Sequence, residues 1–329
     1  MPNPQPIMDL ANAFFGSQVL FVASDTGVFR KLAESDGLDI AAMASGLGMN
    51  ERGMGLLLDA CVALGLLTKL GEAYSNTPAT KMFLVPGSPA DLSGALRYNR
   101  DVYAAWGKLS ELVQTGAPVT PPVHLGEDAQ RTRTFVMSMH GKALGMSRGV
   151  IPLLNLAGRK RLLDVGGGPG TFSVLIARAV PGIHCTVLDL PGVVAVASEL
   201  IAQQGAAESV EVLAGNYHTT AFPSDLDAVN FFGMLHQETP EGVQGLMRKA
   251  YDALEPGGVV HVMDMMTDET RTAPVFSAIF SLTMALTSSG RVHSAGDLKE
   301  WLEAAGFVDF QVKPLPPPLP HWLAFARKP

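Results

Sequence analysis

Between Arg161 and Ala177 the chain reads RLLDVGGGPGTFSVLIA. An apolar run reaches Asp164, glycines break it, and a helical pattern resumes at once. Strand, bare loop and helix in that order put unencumbered backbone at the carboxyl end of a strand. In a parallel sheet, that edge is where ligands are held. Three ligands suit such a loop: a dinucleotide, a nucleoside triphosphate, or a nucleoside without phosphates.

The segments that follow set the fold class. Strands are expected at RLLDV, HCTVLD, VEVLAG, LDAVNFFG and GVVHVMD, with helices at TFSVLIARAV, GVVAVASELIAQQG and PEGVQGLMRKAYDALE between them. This alternation predicts an α/β fold, a parallel Rossmann-like sheet covered on both faces. The end differs: FVDFQV, a PLPPPLP turn and HWLAFAR read as an antiparallel hairpin closing the sheet. The first half reads as helices with one small hairpin, LLTKLGEAYSNTP, around Gly71 and Glu72. Helix, helix, wing is a winged-helix layout. The expected domains are 1–155, helical and winged-helix-like, and 156–329, the sheet domain.

The loop narrows the ligand. A P-loop needs Gly-Lys-Ser/Thr after its glycines, and no lysine follows here. A dinucleotide fingerprint from Gly166 and Gly168 needs a third glycine where Thr171 stands. The pattern is instead D-x-G-x-G-x-G through Asp164, Gly166, Gly168 and Gly170, with no anion-specific side chain. A nucleoside with an amino-acid tail fits it. Asp189, ending the second strand, is placed to bind both ribose hydroxyls. After the third strand, Asn216 is in reach of an adenine amino group and Tyr217 of its ring. An ordinary turn is the alternative for Asn216.

Charge and composition exclude other classes. The formal charge is −7, which gives nucleic acid no general attraction, and the helix before the wing shows Glu51, Arg52, Gly53 and Asp59. A packing and dimerisation role suits this module better than DNA. Apolar residues make up 47% against 17% charged, which points to a surface packed on a second copy or to a core rich in small residues. Cys61 and Cys185 form no framework of bridges, which suits a reducing cytoplasm. The N-terminal apolar run is interrupted by Asn12, Gln18 and Ser24, so an amphipathic helix is expected there, not a signal peptide or a membrane span. The histidines, among them His140, His218, His261 and His293, show no metal-ligand spacing, and no metal is expected.

Taken together, LLDVGGGPG, VLDLPGVV, VEVLAGNYH, LDAVNFFGMLH, AYDALEPGGVVHVMD and AAGFVDFQV resemble the S-adenosylmethionine-dependent O-methyltransferases of the caffeate and hydroxyindole type. The likeness, to their bacterial small-molecule relatives in particular, covers nearly the whole chain. It implies a homodimer joined through the N-terminal domain and S-adenosylmethionine over the glycine loop, with Leu190 and Phe232 joining the cofactor seat. It also implies a catalytic histidine at His236, oriented by Asp264. The family's His-Asp-Trp is here His236-Gln237-Glu238, and a further family glutamate is replaced by Val292. The implied reaction is methylation of a hydroxyl on a small aromatic or polyketide-like acceptor. Methylation at carbon or nitrogen, or a cofactor kept for other chemistry, are the alternatives. Phe280 and Met284 at helical spacing, with Phe135 and Met139, line an acceptor pocket or belong to the core.

Overall fold

The computed structural model describes residues 2–88, 90–120, 128–317 and 319–329. A proline-rich loop is expected from APVTPPVHLGED; its residues 121–127 lie outside the described residues, as does Pro318 of the C-terminal turn. Two compact units divide between Asp101 and Val102.

The first unit opens with α1 (Gln5–Asp25), α2 (Val28–Ala33), α3 (Ile40–Leu47) and α4 (Glu51–Ala63). The starts of α3 and α4 follow from their caps. Asp39 accepts from the Ala42 N–H and Asn50 from the Gly53 N–H, each filling one of the amide groups a helix leaves open. Next come β1 (Leu67–Leu70) and β2 (Ala73–Asn76), paired antiparallel across Gly71 and Glu72 as expected. Then come α5 (Pro78–Phe83) and the start of α6 (Ser93–Trp106). Leu58, Met43, Phe29 and Tyr74 fill the core of this unit. The N-terminal helix expected from this run is α1, but the polar residues within it do not exclude a membrane span as expected. Asn12 and Gln18 have ordinary helix propensity, so α1 runs unbroken for 21 residues and by length and composition alone could cross a membrane. Among its residues only Ala23 is buried.

The second unit carries α7 (Leu109–Thr115), α8 (Ala129–Val150), β3 (Arg161–Val165), α9 (Thr171–Ala179), β4 (His184–Asp189), α10 (Pro191–Gln203) and β5 (Val210–Ala214). It continues with β6 (Leu226–Phe232), α11 (Pro240–Ala253), β7 (Leu254–Asp264), α12 (Val275–Thr287), α13 (Ala295–Ala305), β8 (Val308–Pro314) and β9 (Trp322–Arg327). The strand order is β5-β4-β3-β6-β7-β9-β8. Strands β3 to β7 run parallel, and β9 and β8 form the reversed hairpin. The expected boundary near residue 155 marks where the sheet begins. The contact division falls earlier because α8 packs on α9 and α10, which helical periodicity alone does not reveal.

Alternation along the strands builds two cores. Leu163, Val165, Phe231 and Val262 meet α11 and α13. Leu162, Ala228 and Val259 meet α8, α9 and α10. One polar row interrupts the second face, where Asp164, Asn230 and His261 stand side by side in register. All three are buried, and His261 Nδ1 lies 3.0 Å from Asn230 Oδ1. The order of strands reverses at β3, with β4 on one side and β6 on the other, so the carboxyl end of β3 is the switch point.

Candidate active site

The glycine loop sits at that switch point, and its conformation explains its spacing. Gly166, Gly168 and Gly170 adopt φ of +65°, +55° and +69°, the left-handed region closed to most side chains. Gly167 is needed for a different reason. A Cβ there would lie 2.8 Å from Asp164 Cγ and 3.0 Å from Val187 Cγ1. A Cβ on Gly168 would meet nothing within 4 Å, so the outer side of the loop is open.

Asp189 closes one flank of this opening. Its Oδ2 accepts from the Gly168 N–H at 2.8 Å and its Oδ1 from the Leu190 N–H at 2.7 Å. Burial pushes its carboxyl up, against the pull of those two N–H bonds. A carboxylate bonded into the loop opposes phosphates, while its remaining lone pairs suit hydroxyl donors. The residues therefore fit a nucleoside without phosphates. Asp164 is not on the open side. It is 1% exposed beneath the loop, accepts from Ser173 Oγ at 2.7 Å, and is pushed up to about 7 by burial, with the Asp189 charge adding to it. Its place is under Gly167, as a support.

After β5, Asn216 Oδ1 accepts from the His218 N–H, so this residue does make a local turn. Tyr217 is half-buried and its Oη donates to Glu238 Oε1 at 2.6 Å. Phe232, at the end of β6, stands edge-on to Phe172 with ring centres 5.1 Å apart. On α8, His140 Nδ1 lies 2.6 Å from Thr171 Oγ1 at the start of α9, a link that nothing in the residue pattern announced.

His236 lies in a 3-10 turn, Leu235–Gln237, directly after β6. Asp264 ends the neighbouring β7, and parallel pairing of β6 and β7 brings the two together. Asp264 Oδ1 lies 2.6 Å from His236 Nδ1 and accepts from the Met265 N–H at 2.8 Å, while Oδ2 accepts from the His236 N–H at 3.1 Å. Burial raises the Asp264 carboxyl. The His236 charge and hydrogen bond, the His321 charge and the Met265 N–H outweigh this and hold it below its usual value. An ionised carboxylate only accepts, so Nδ1 carries the ring proton and Nε2 is left with its lone pair.

Gly290 packs on the backbone of His236 and Gln237, where any side chain would collide. Phe280 stands edge-on to the imidazole with centres 5.3 Å apart, and Phe276 stacks on Phe280 at 6.0 Å. Phe135 and Met139 on α8 are half-buried, Phe135 packing on the cluster of Val136 and Val193. Met284 is 4% exposed and offers almost no surface. Val292, at the position of the missing acid, is fully packed at 2% exposed. A cavity of about 10 Å³ behind the His236–Asp264 pair is far too small for an acceptor. Among the described residues, no group of three or more His, Cys, Asp or Glu is arranged to hold a metal.

A parallel sheet with a reversed terminal hairpin, a glycine loop at its switch point that fits a nucleoside and a histidine in the turn after the neighbouring strand β6 define the Rossmann-like methyltransferase class. The comparisons with known proteins narrow this. The O-methyltransferase domain model matches residues 116–308, and the O-methyltransferase dimerisation domain model matches residues 8–86. The chain belongs to the O-methyltransferase family, whose enzymes depend on S-adenosylmethionine. It is 32% identical over 308 residues to 3-hydroxy-5-methyl-1-naphthoate 3-O-methyltransferase of Streptomyces sahachiroi, covering 92% of this chain and 89% of that one. It is 32% identical over 322 residues to acetylserotonin O-methyltransferase of Homo sapiens, covering 93% and 92%. The crystal structure of human N-acetylserotonin methyltransferase in complex with SAM matches with a TM-score of 0.88 at 30% identity, over 98% of this chain and 97% of that one.

Proposed function

We propose that this chain methylates a hydroxyl of a small aromatic, polyketide-like acceptor, with His236 as general base and Asp264 orienting it. The single observation that carries the role of His236 is the 2.6 Å bond from its Nδ1 to Asp264, which leaves Nε2 free to take a proton. When bound, S-adenosylmethionine supplies a sulfonium-activated methyl group. The chain's own residues supply the rest. Gly166, Gly168 and Gly170 give the open backbone and Asp189 the acceptors for ribose. Leu190, Asn216, Tyr217 and Phe232 complete the cofactor seat, and Asp164 supports it from below.

A phenol or enol is a weak nucleophile until deprotonated. Proton removal at Nε2 is worth about 10²–10⁴-fold, and Asp264 favours the imidazolium that results. Holding the acceptor in line supplies roughly a further 7–11 kcal/mol. Phe280 against the imidazole, with Phe135 and Met139 from α8, suits a flat apolar acceptor. Such acceptors are named for the relatives, a naphthoate for one and a tetracenomycin polyketide for another.

The dimerisation module and the bare apolar face of α1 support a homodimer. Ile7, Leu10, Phe14 and Phe15 are 72%, 79%, 49% and 57% exposed there. Both cysteines are free and buried, which suits a reducing cytoplasm.

The test is methyl transfer from S-adenosylmethionine to a panel of hydroxylated aromatics, read by product mass. His236→Ala is expected to lose ~10²-fold or more in kcat while S-adenosylhomocysteine still binds. Transfer at the parent rate by that variant would sink the base assignment.

A further inference from the structure

Glu238 stands two residues beyond His236, with its side chain 12% exposed. Its Oε1 accepts from Tyr217 Oη at 2.6 Å, and its Oε2 lies 2.9 Å from His218 Nε2. One carboxylate thus grips two consecutive side chains of the loop after β5. The Glu238 N–H donates to Leu235 O at 3.0 Å, so the same residue also closes the turn that carries His236.

The surroundings are built to keep this grip. Lys249 of α11 holds the loop from the other side, its Nζ donating to Tyr217 O at 2.6 Å, Thr220 O at 2.8 Å and His218 O at 3.2 Å. Gly242, in the first turn of α11, leaves the room Glu238 needs, since a Cβ there would lie 2.6 Å from Oε2. The His236–Asp264 pair is complete without Glu238, so the carboxylate is not part of the proton transfer.

We propose that Glu238 is a positioning residue that fastens the Tyr217 ring to the turn bearing His236, coupling cofactor binding to alignment of the base. The proposal rests on the reading of Tyr217 as part of the cofactor seat. Burial, and then the bond to Glu238, push the Tyr217 phenol well above its ordinary value, so it remains a donor throughout the working pH range.

The test uses the full chain and calorimetric binding of S-adenosylhomocysteine. A hydrogen bond to a charged group is worth roughly 10-fold or more in binding, so Glu238→Leu and Tyr217→Phe are each expected to weaken affinity by about that factor. Their double variant is expected to be no weaker than either single one. Glu238→Gln keeps an acceptor for Tyr217 and is expected to recover affinity to within about threefold of wild type. Gly242→Ala keeps the carboxylate but crowds Oε2, the oxygen that faces His218, and its affinity is expected to lie between wild type and Glu238→Leu although alanine favours the helix. kcat at saturating cofactor is expected to fall in Glu238→Leu as well.

A residue that only stabilises the fold would lower the melting temperature of Glu238→Leu and leave its affinity unchanged. That result overturns the proposal, as do losses that multiply in the double variant. Should Glu238→Leu not fold, Tyr217→Phe carries the same test, and an unchanged affinity in that variant overturns the proposal. Wild-type protein that fails to bind S-adenosylhomocysteine would overturn the cofactor seat and, with it, the coupling.

Discussion

Replacing Asp264 by asparagine changes one atom and sets donors against donors. Three donors converge on the carboxylate: His236 Nδ1 and the Met265 N–H on Oδ1, and the His236 N–H on Oδ2. Asparagine has a single acceptor oxygen. With that oxygen towards Nδ1, its NH₂ faces the His236 N–H in a buried site, which costs about 1–3 kcal/mol of stability. With the amide flipped, the imidazole must accept at Nδ1, which moves its proton to Nε2 and leaves no base. In either orientation the charge that favours the imidazolium is gone. Two charges about 4 Å apart at an effective dielectric near 20 attract by roughly 4 kcal/mol. At about 1.4 kcal/mol per decade this is ~10³-fold in kcat. The assay is initial-rate methyl transfer to an acceptor found in the panel, alongside calorimetry with S-adenosylhomocysteine. The expected result is a drop of about 10³-fold in kcat with cofactor affinity held, since Asp264 does not touch the glycine loop. A kcat within threefold of wild type would refute the orienting role. So would losses in Asp264→Asn and His236→Ala that multiply when combined, because two parts of one device do not act independently.

Three further outcomes are expected. Asp164 titrates near 7 in the folded chain and at 3.8 unfolded, so between those values the native state holds a proton the unfolded state lacks. Its contribution to stability is therefore full at low pH and lost as pH rises towards 7. In denaturant titrations from pH 4 to 8, Asp164→Asn should gain on wild type by up to roughly 4 kcal/mol, and a constant difference would contradict this. Gly290→Ala forces the backbone of His236 and Gln237 to move, so kcat should fall at least tenfold; unchanged turnover would show that the turn tolerates the shift. Phe14→Glu with Phe15→Glu places charge on the bare face of α1, and light scattering should find monomer where wild type gives dimer; a dimer that persists would place the interface elsewhere.

Local pattern made much of this protein legible. The strand–glycine–helix run marked the open loop at the switch point, because left-handed backbone at Gly166, Gly168 and Gly170 favours glycine. Period-two and period-3.6 apolar spacing placed the strands and helices, and the reversed hairpin showed in its turn residues. Asp189 and Asp264 end β4 and β7, and His236 lies in the turn after β6; parallel strands end on one edge of the sheet, while the pairing of His236 with Asp264 was implied by the family likeness and not by local pattern.

Other features depend on which segments meet, and no local signal carries that. Asp164 went beneath the loop because β3 alternation turns it towards α9 and Ser173, a matter of which helix packs there. Gly167 and Gly290 are glycine only because a neighbour's atoms occupy the space of their Cβ. Glu238 looked like a departure from a family pattern until the fold brought Tyr217 and His218, about twenty residues away in sequence, onto its two oxygens. Backbone conformation is short-ranged and is written residue by residue, whereas contact between distant side chains exists only once burial has brought them together.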